Sequence, residues 1–295
     1  MAGRGKIAAV VQDQGINEER LQAYRAQTYW QNHGLKTVEQ AVEFVEERGF
    51  IFFWPIKNID LPSLWTAVAG DRAVASEHDD PGHVTWGWKD QMLGKRKWYY
   101  AKLLRKKATL ISLKVAPYFY ALTENYGDPY EDYLVQYEAG RLKRENKRVY
   151  EALLHQGPMD TVALRRKVGL TSKGSKYRFE RALVELQKDM KILPVGIAEV
   201  GAWNYAFIYD IVPRQFPDLL DQARQITESE ARSRLTELYF RSVGAASLGE
   251  FGKVFGWRKA QLRAAVQQAE QAGWVRTGVK RENSGEELIA LSKLL

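Results

Sequence analysis

Two stretches of this chain repeat one another, and that repetition limits the folds open to it. The first reads as helix 141–155, a turn at Gly157-Pro158, helix 160–168, a turn at Gly169, a long helix 173–190, and strands 191–197 and 203–211 around Gly201. The second reads as helix 228–242, a turn at Gly244, helix 247–255, a turn at Gly256, a long helix 258–272, and strands 274–279 and 287–291 around Asn283-Ser284-Gly285. Both glycine pairs, 157 with 169 and 244 with 256, stand 12 residues apart. Between the two stretches Leu164 corresponds to Phe251, Val168 to Phe255 and Leu170 to Trp257. A period of this length marks one supersecondary unit used more than once. Three helices followed by a two-stranded hairpin is the order of a winged helix-turn-helix, whose third helix is presented to a groove while the hairpin reaches the adjacent backbone.

The front of the chain follows a related order. Residues 17–33 have the composition of a helix, with Leu21, Tyr24 and Thr28 or Trp30 on one side and Gly34 as its stop. Thr37-Val38-Glu39-Gln40 reads as a capping box, Val38, Ala41, Val42 and Val45 follow at helical spacing, and Gly49 ends that helix. The apolar run Phe50-Ile51-Phe52-Phe53-Trp54, closed by Pro55, is either a buried strand or an extended segment at a pocket wall. Asp60 is placed to cap a short helix 61–69. A polar loop 70–84 and a helix 85–93 precede an outgoing strand 98–104, a basic turn 105–107 and a returning strand 109–115. Pro117 then starts a short aromatic helix. The expected architecture is therefore α+β, mainly α, with three tandem winged helix-turn-helix units forming a concave basic surface. Their predicted extents are a loose N-terminal tail 1–16 and units 17–127, 128–213 and 214–295.

Charge is gathered rather than spread. The 295 residues carry a formal charge of +8. Segment 141–191 holds 14 Lys and Arg against 6 Asp and Glu, whereas 121–140 holds five acids and no Lys or Arg. Segment 95–107 holds seven basic residues and no acid, with Trp98-Tyr99-Tyr100 among them. Cations that displace counterions from phosphate, beside rings that stack on bases, point to nucleic acid. The expected contacts are Lys95, Arg96, Lys97, Lys102, Arg105, Lys106 and Lys107 on the first hairpin; Lys173, Lys176, Arg178 and Arg181 at the start of the second unit's third helix; and Lys280 and Arg281 on the last hairpin. The middle hairpin around Glu199-Val200-Gly201-Ala202-Trp203 is almost uncharged and suits packing on a neighbour.

Other chemistries are poorly served. Without cysteine the chain has no disulfide and no thiolate ligand or nucleophile, which fits a cytoplasmic location. No apolar run reaches membrane length, and the start is too short for a signal-peptide core. The chain lacks a phosphate-cradling Gly-Lys-Ser/Thr loop, a Gly-x-Ser-x-Gly elbow and a dinucleotide fingerprint. His78, Asp79, Asp80 and His83 offer metal-ligand chemistry, but Asp-Asp-Pro-Gly is first a turn sequence, so neither a metal nor a cofactor is expected.

The order of elements, with Gly49-Phe50-Ile51-Phe52-Phe53-Trp54 followed by Ser63-Leu64-Trp65, resembles the AlkZ/YcaQ-type winged-helix DNA glycosylases. The resemblance implies tandem winged helices around a basic DNA-binding surface, and excision of bulky alkylated purines or unhooking of crosslinks. In that family the Gly-aromatic-apolar start leads into a Gln-x-Gln or Gln-x-Asp pair; here Phe52 and Trp54 stand at those positions. A phenyl or indole ring cannot hold and deprotonate water beside a developing sugar cation. Phe52 and Trp54 therefore carry over as pocket or core residues, with Trp86, Trp88 and Trp98 as further base-pocket or wedge residues. Asn58 and Asp60 are the substitutes for catalysis. The partner implied is double-stranded DNA, damaged or not, bound by a monomer. The expected function is a lesion binder, or a glycosylase using another residue; the alternatives are a winged-helix transcriptional regulator and a protein-interaction scaffold.

Overall fold

A computed structural model describes residues 15–30, 34–201 and 203–295. Most of the expected tail 1–16, and the expected helix end at 31–33, lie outside the described residues. The last two tail residues, Gly15–Ile16, form a strand (β1), and helix α1 spans Glu18–Thr28. Asn17 caps α1 by accepting from the Glu19 amide.

One order of elements then occurs three times. The first set is α2 (Val38–Arg48), β2 (Phe50–Phe52), α3 (Leu64–Ala69), α4 (Val84–Met92), β3 (Tyr99–Lys102) and β4 (Ala108–Ile111). Helices α5 (Ala116–Tyr120) and α6 (Asp132–Glu138) lead to the second: α7 (Arg144–Gln156), β5 (Met159–Asp160), α8 (Thr161–Lys167), α9 (Lys176–Lys188), β6 (Ile192–Ala198) and β7 (Ala206–Ile211). Helices α10 (Val212–Gln215) and α11 (Leu219–Arg224) lead to the third: α12 (Glu228–Val243), β8 (Ala245–Ala246), α13 (Leu248–Phe255), α14 (Lys259–Gln271), β9 (Val275–Arg281) and β10 (Glu287–Leu291). In each set the strand after the first helix pairs antiparallel with the last strand, which gives sheet orders β2-β4-β3, β5-β7-β6 and β1-β9-β10-β8. The short strands β5 and β8 lie where the sequence pattern suggested only turns. The sharp change of direction from helix to strand falls on the same residue type each time: Gly49, Gly157 and Gly244 have φ of +83°, +86° and +78°. That region penalises any side chain, so the glycine is required at each corner.

Local signals fall close to their expected places, with three corrections. Helix α3 starts at Leu64 and is capped by Ser63, which accepts from the Thr66 amide; Asp60 is not its cap. Gln40 reaches past Thr37 to accept from the Lys36 amide, so only half of the expected capping box forms. Helix α1 does not join the first set. Its Arg25 donates to the Val243 and Ala245 carbonyls at 3.0 Å each, and Thr28 donates to the Ser242 carbonyl at 2.7 Å. Strand β1 extends the same third sheet, parallel to β9.

Three apolar cores result. One lies within the second set, around Val149, Leu153, Leu164, Phe179 and Leu186. Another lies between the first sheet and its helices, around Phe44, Ile51, Phe53, Trp88 and Leu110. The largest joins the opposite face of that sheet, through Phe50, Phe52, Tyr99 and Ile111, to the third set through Leu238, Tyr239, Phe251 and Val254.

Candidate nucleic-acid interface

Strand β2 explains the unbroken apolar run. Alternate side chains of a strand point to opposite faces, and both faces here are dry. Phe50 and Phe52 enter the core shared with the third set, where Phe50 meets Phe119 and Phe255 edge to face at 5.3 and 5.7 Å. Ile51 and Phe53 enter the core beneath α2 and α4. Phe52 is 0% exposed, so the side chain at the first of the family's paired positions is core and lines no pocket.

Trp54, just past the strand end, is half-buried. Its ring meets Phe53 at 5.5 Å and Trp86 at 5.7 Å, and its indole N–H has no hydrogen-bond partner among the described residues. Trp86 on α4 is exposed, while Trp88 and Trp98 are buried in the core beneath α2 and α4. Of the five expected wedge or pocket residues, only Trp54 and Trp86 present aromatic surface to solvent.

Next to Trp86 lies a cluster that the sequence did not reveal. The ammonium of Lys89, whose side chain is 1% exposed, sits 4.4 Å from the Trp86 ring centre and 4.6 Å from that of Phe207, with Tyr100, Tyr205 and Phe53 at 5.5–5.9 Å. It donates to the Tyr205 hydroxyl at 2.9 Å and pairs with Asp90 at 2.8 Å, and Tyr205 donates to the same Asp90 oxygen at 2.8 Å. Burial pushes the lysine below its ordinary range against the pull of Asp90, and burial with the Asp90 contact holds the Tyr205 phenol well above its own. Only the aromatic residues around Tyr205 hinted at it, because Lys89 and Tyr205 lie 116 residues apart.

The substitute catalytic residues are drawn into other work. Asn58 is exposed, with φ +61°, in a tight turn where Ile56 and Ile59 bridge. Asp60 forms an ion pair with Arg25 at 3.1 Å. Asp80 caps the turn at Pro81 by accepting from the Gly82 amide and takes a two-point contact from Arg72 at 2.6 and 3.0 Å. His83 packs on Trp65 at 5.3 Å, and among the described residues no three His, Cys, Asp or Glu side chains gather as a metal would need.

The basic residues divide by surroundings. Lys95, Arg96 and Lys97 are exposed at the base of the first hairpin, and Lys102, Arg105, Lys106 and Lys107 at its far end. Strand rise puts roughly 20 Å between the two groups. The turn residues Arg105 and Lys106 have φ of +54° and +59°, Leu103 and Leu104 bury beneath them, and the turn packs between α9 and α13. On α9, Lys176 and Arg181 face a groove, each also near an acid one turn on: Glu180 at 3.8 Å and Glu185 at 2.8 Å. Arg178 turns away to Glu145 on α7 at 3.1 Å, and Lys173 is exposed just before the helix. Lys280 is exposed, but Arg281 is enclosed by Glu18, Glu286 and Glu250 at 2.8, 3.4 and 4.0 Å. Arg281 is a clasp between α1, α13 and the last hairpin.

Two clefts flank the first hairpin. An open groove of about 950 Å³ lies between Lys102 and Lys106, the outer face of α9, and the second hairpin at Gly201 and Tyr205–Tyr209. A cleft of about 870 Å³ lies on the other side, lined by Arg105, Lys106, Phe119, Arg141, Lys188, Phe255 and Trp257. Trp257 stacks on Phe255 at 4.3 Å. Lys106 lines both, so cations and rings alternate across the junction. The tip of the second hairpin does not pack on a neighbour as expected: Trp203 is 91% exposed.

A family model described as AlkZ related matches residues 35–256. Among solved structures the fold is similar to the Streptomyces sahachiroi DNA glycosylase AlkZ, with a TM-score of 0.59 and 14% sequence identity over 95% of this chain and 71% of that one. No curated protein sequence matches. Among the described residues no helix is long and apolar enough to cross a membrane.

Proposed function

The chain belongs to the AlkZ-related family, and from that membership we propose that it is a DNA-binding protein of base-damage repair, one that recognises alkylated or crosslinked bases without the excision chemistry of the family's usual residue pair. The observation that carries the second half is the position of Phe52, sealed inside the core shared with the third set, where neither water nor a sugar reaches it. Its neighbour Trp54 offers partly exposed ring surface, which suits stacking on a base and not proton transfer.

The three recurring sets are read as three winged helix-turn-helix units, and the two clefts with the first hairpin between them as the concave basic surface. Support comes from the recurring strand pairing and from the alternation of Lys102, Arg105, Lys106, Lys176 and Arg181 with aromatic rings. The similar Streptomyces protein, named a DNA glycosylase, agrees with DNA as the partner. A transcriptional regulator reading sequence would use the exposed face of α9 alone in a major groove; that this face shares its groove with two hairpins favours the repair reading instead. The test is affinity for a duplex as salt is raised. A phosphate-dominated complex weakens steeply and linearly on a log–log plot, whereas absent or salt-insensitive binding rejects the proposal.

A further inference from the structure

The groove between α9 and the two hairpins carries, beside the cations read above as part of the duplex surface, exposed rings that a duplex does not use. Lys176, Tyr177, Glu180 and Arg181 line one helix face at i, i+1, i+4 and i+5. Opposite stand Lys102 and Lys106, which no carboxylate pairs among the described residues; Glu180 is the one acid in the lining. Tyr177 is 70% exposed, and Trp203, on the turn between the lining residues Gly201 and Tyr205, is 91% exposed. From Tyr205 the rings continue outward through Trp86 at 6.4 Å to Trp54 at 5.7 Å.

Two large rings left in water beside unpaired cations call for a partner that is anionic and carries flat apolar faces. Nucleic acid meets both terms, and base faces are free only where the bases are unpaired. In a duplex each face already stacks on its neighbour. A groove of about 950 Å³ matches the clefts that hold small ligands and seats a few nucleotides rather than a turn of duplex.

We infer that this groove holds a single unpaired DNA strand, its bases stacked on Tyr177 and Trp203 and its phosphates on Lys102, Lys106, Lys176 and Arg181. The strand would run from the ring surface at Trp54 and Trp86, so a lesion that opens the duplex would feed its loosened strand into the groove. The inference rests on the DNA-binding reading above for its polymer and not for its lesion.

The test is fluorescence anisotropy on the full chain with a short oligothymidine and a blunt-ended, fully paired duplex of equal phosphate number, at one salt concentration. The double variant Tyr177→Ala/Trp203→Ala removes only exposed rings, and a thermal melt checks that it folds. It is expected to bind oligothymidine at least about tenfold more weakly, with duplex affinity within about twofold of the parent. The double variant Tyr177→Phe/Trp203→Phe, which keeps both flat faces, is expected to retain oligothymidine binding. Unchanged oligothymidine affinity in the alanine variant, an equal loss for both ligands, or tighter binding of oligouridine than oligothymidine would overturn the inference. The outcomes separate from the broader proposal: a parent protein that binds duplex but not oligothymidine sinks the inference alone, and one that binds oligothymidine but not duplex sinks the duplex reading alone.

Discussion

The Lys89 ammonium and the Tyr205 hydroxyl meet at 2.9 Å, joining α4 of the first set to the second hairpin, and both bond the same oxygen of Asp90. The lysine is held inside a box of aromatic rings, where cation–π attraction and one carboxylate replace its water. Removing it strands Asp90 with only a phenol. Lys89→Ala is expected to cost about 3 kcal/mol, a fall in melting temperature of roughly 6–12 °C, because a cavity and an unpaired acid arise together. Lys89→Met fills the box but still strands Asp90, so it should cost less than the alanine variant and more than nothing. An unchanged melting temperature in the alanine variant would refute the account of the cluster.

Lys191 supplies a pH signature. It is buried, donates to Asn125 Oδ1 at 2.7 Å, and burial pushes its pKa down to about 8 against the pull of Asp132, Asp189 and Glu124. Between about pH 8 and the ordinary lysine value near 10.4 the unfolded chain therefore holds a proton that the folded chain has released. Stability gains from this site as pH rises through that window, by about 3 kcal/mol in all, and below pH 8 the gain is absent. Denaturant titrations at several pH values should show the rise in the parent and its loss in Lys191→Met. Parallel curves for the two proteins across that window would contradict the assignment.

Restoring the family's residue type at Phe52 should fail. A polar amide placed there replaces a ring in a core of Phe50, Leu238 and Phe251, losing its packing and desolvating the amide, so Phe52→Gln is expected to lose about 3 kcal/mol and to gain no base excision. Trp54→Gln, at a half-buried position, should fold normally. Urea unfolding and an alkali-cleavage assay on alkylated duplex measure the two effects. A stable Phe52→Gln that releases bases would place water where a sealed core is described.

The basic residues divide into two groups by what encloses them, and mutation should divide them the same way. Neutralising Arg105, Lys106 and Lys107 together should weaken duplex binding and flatten the log–log salt slope by between about one and three, since each phosphate contact contributes about 0.9. Arg281→Ala should leave duplex affinity within about twofold while lowering stability by about 1 kcal/mol, because three carboxylates already surround Arg281. An unchanged affinity in the triple variant, or a large loss in Arg281→Ala, reverses the assignment.

Features within one stretch of chain were legible before the structure. The glycine corners at 157 and 244, the helix-turn-helix order between them and the apolar strand at 50–53 are fixed by backbone geometry and side-chain alternation within a few residues. Features that join distant stretches were not. Arg25 reads as an ordinary helix-surface residue, and only folding shows it bonding to the carbonyls of residues 243 and 245. Asp60 looks like a cap because it precedes a helix, yet Ser63 is nearer the first turn and Arg25 claims the acid. The same holds for the site. The charge of 95–107 was visible, but its division between two ends of one hairpin follows from the strand pairing, and the Lys89 box needs a hairpin more than a hundred residues away. Trp203 reads as a packing residue because its neighbours are apolar, yet it stands in solvent.

The proposed activity is recognition of a damaged base without excision. Its most direct test compares two duplexes of one sequence, with and without a bulky N7-alkylpurine, for equilibrium affinity and for alkali-labile breaks after prolonged incubation. Binding to the alkylated duplex is expected to be at least about tenfold tighter, a margin typical of recognising one altered base, with no breaks above the protein-free control. Equal affinity for the two duplexes, or breaks that grow with protein concentration, would contradict it.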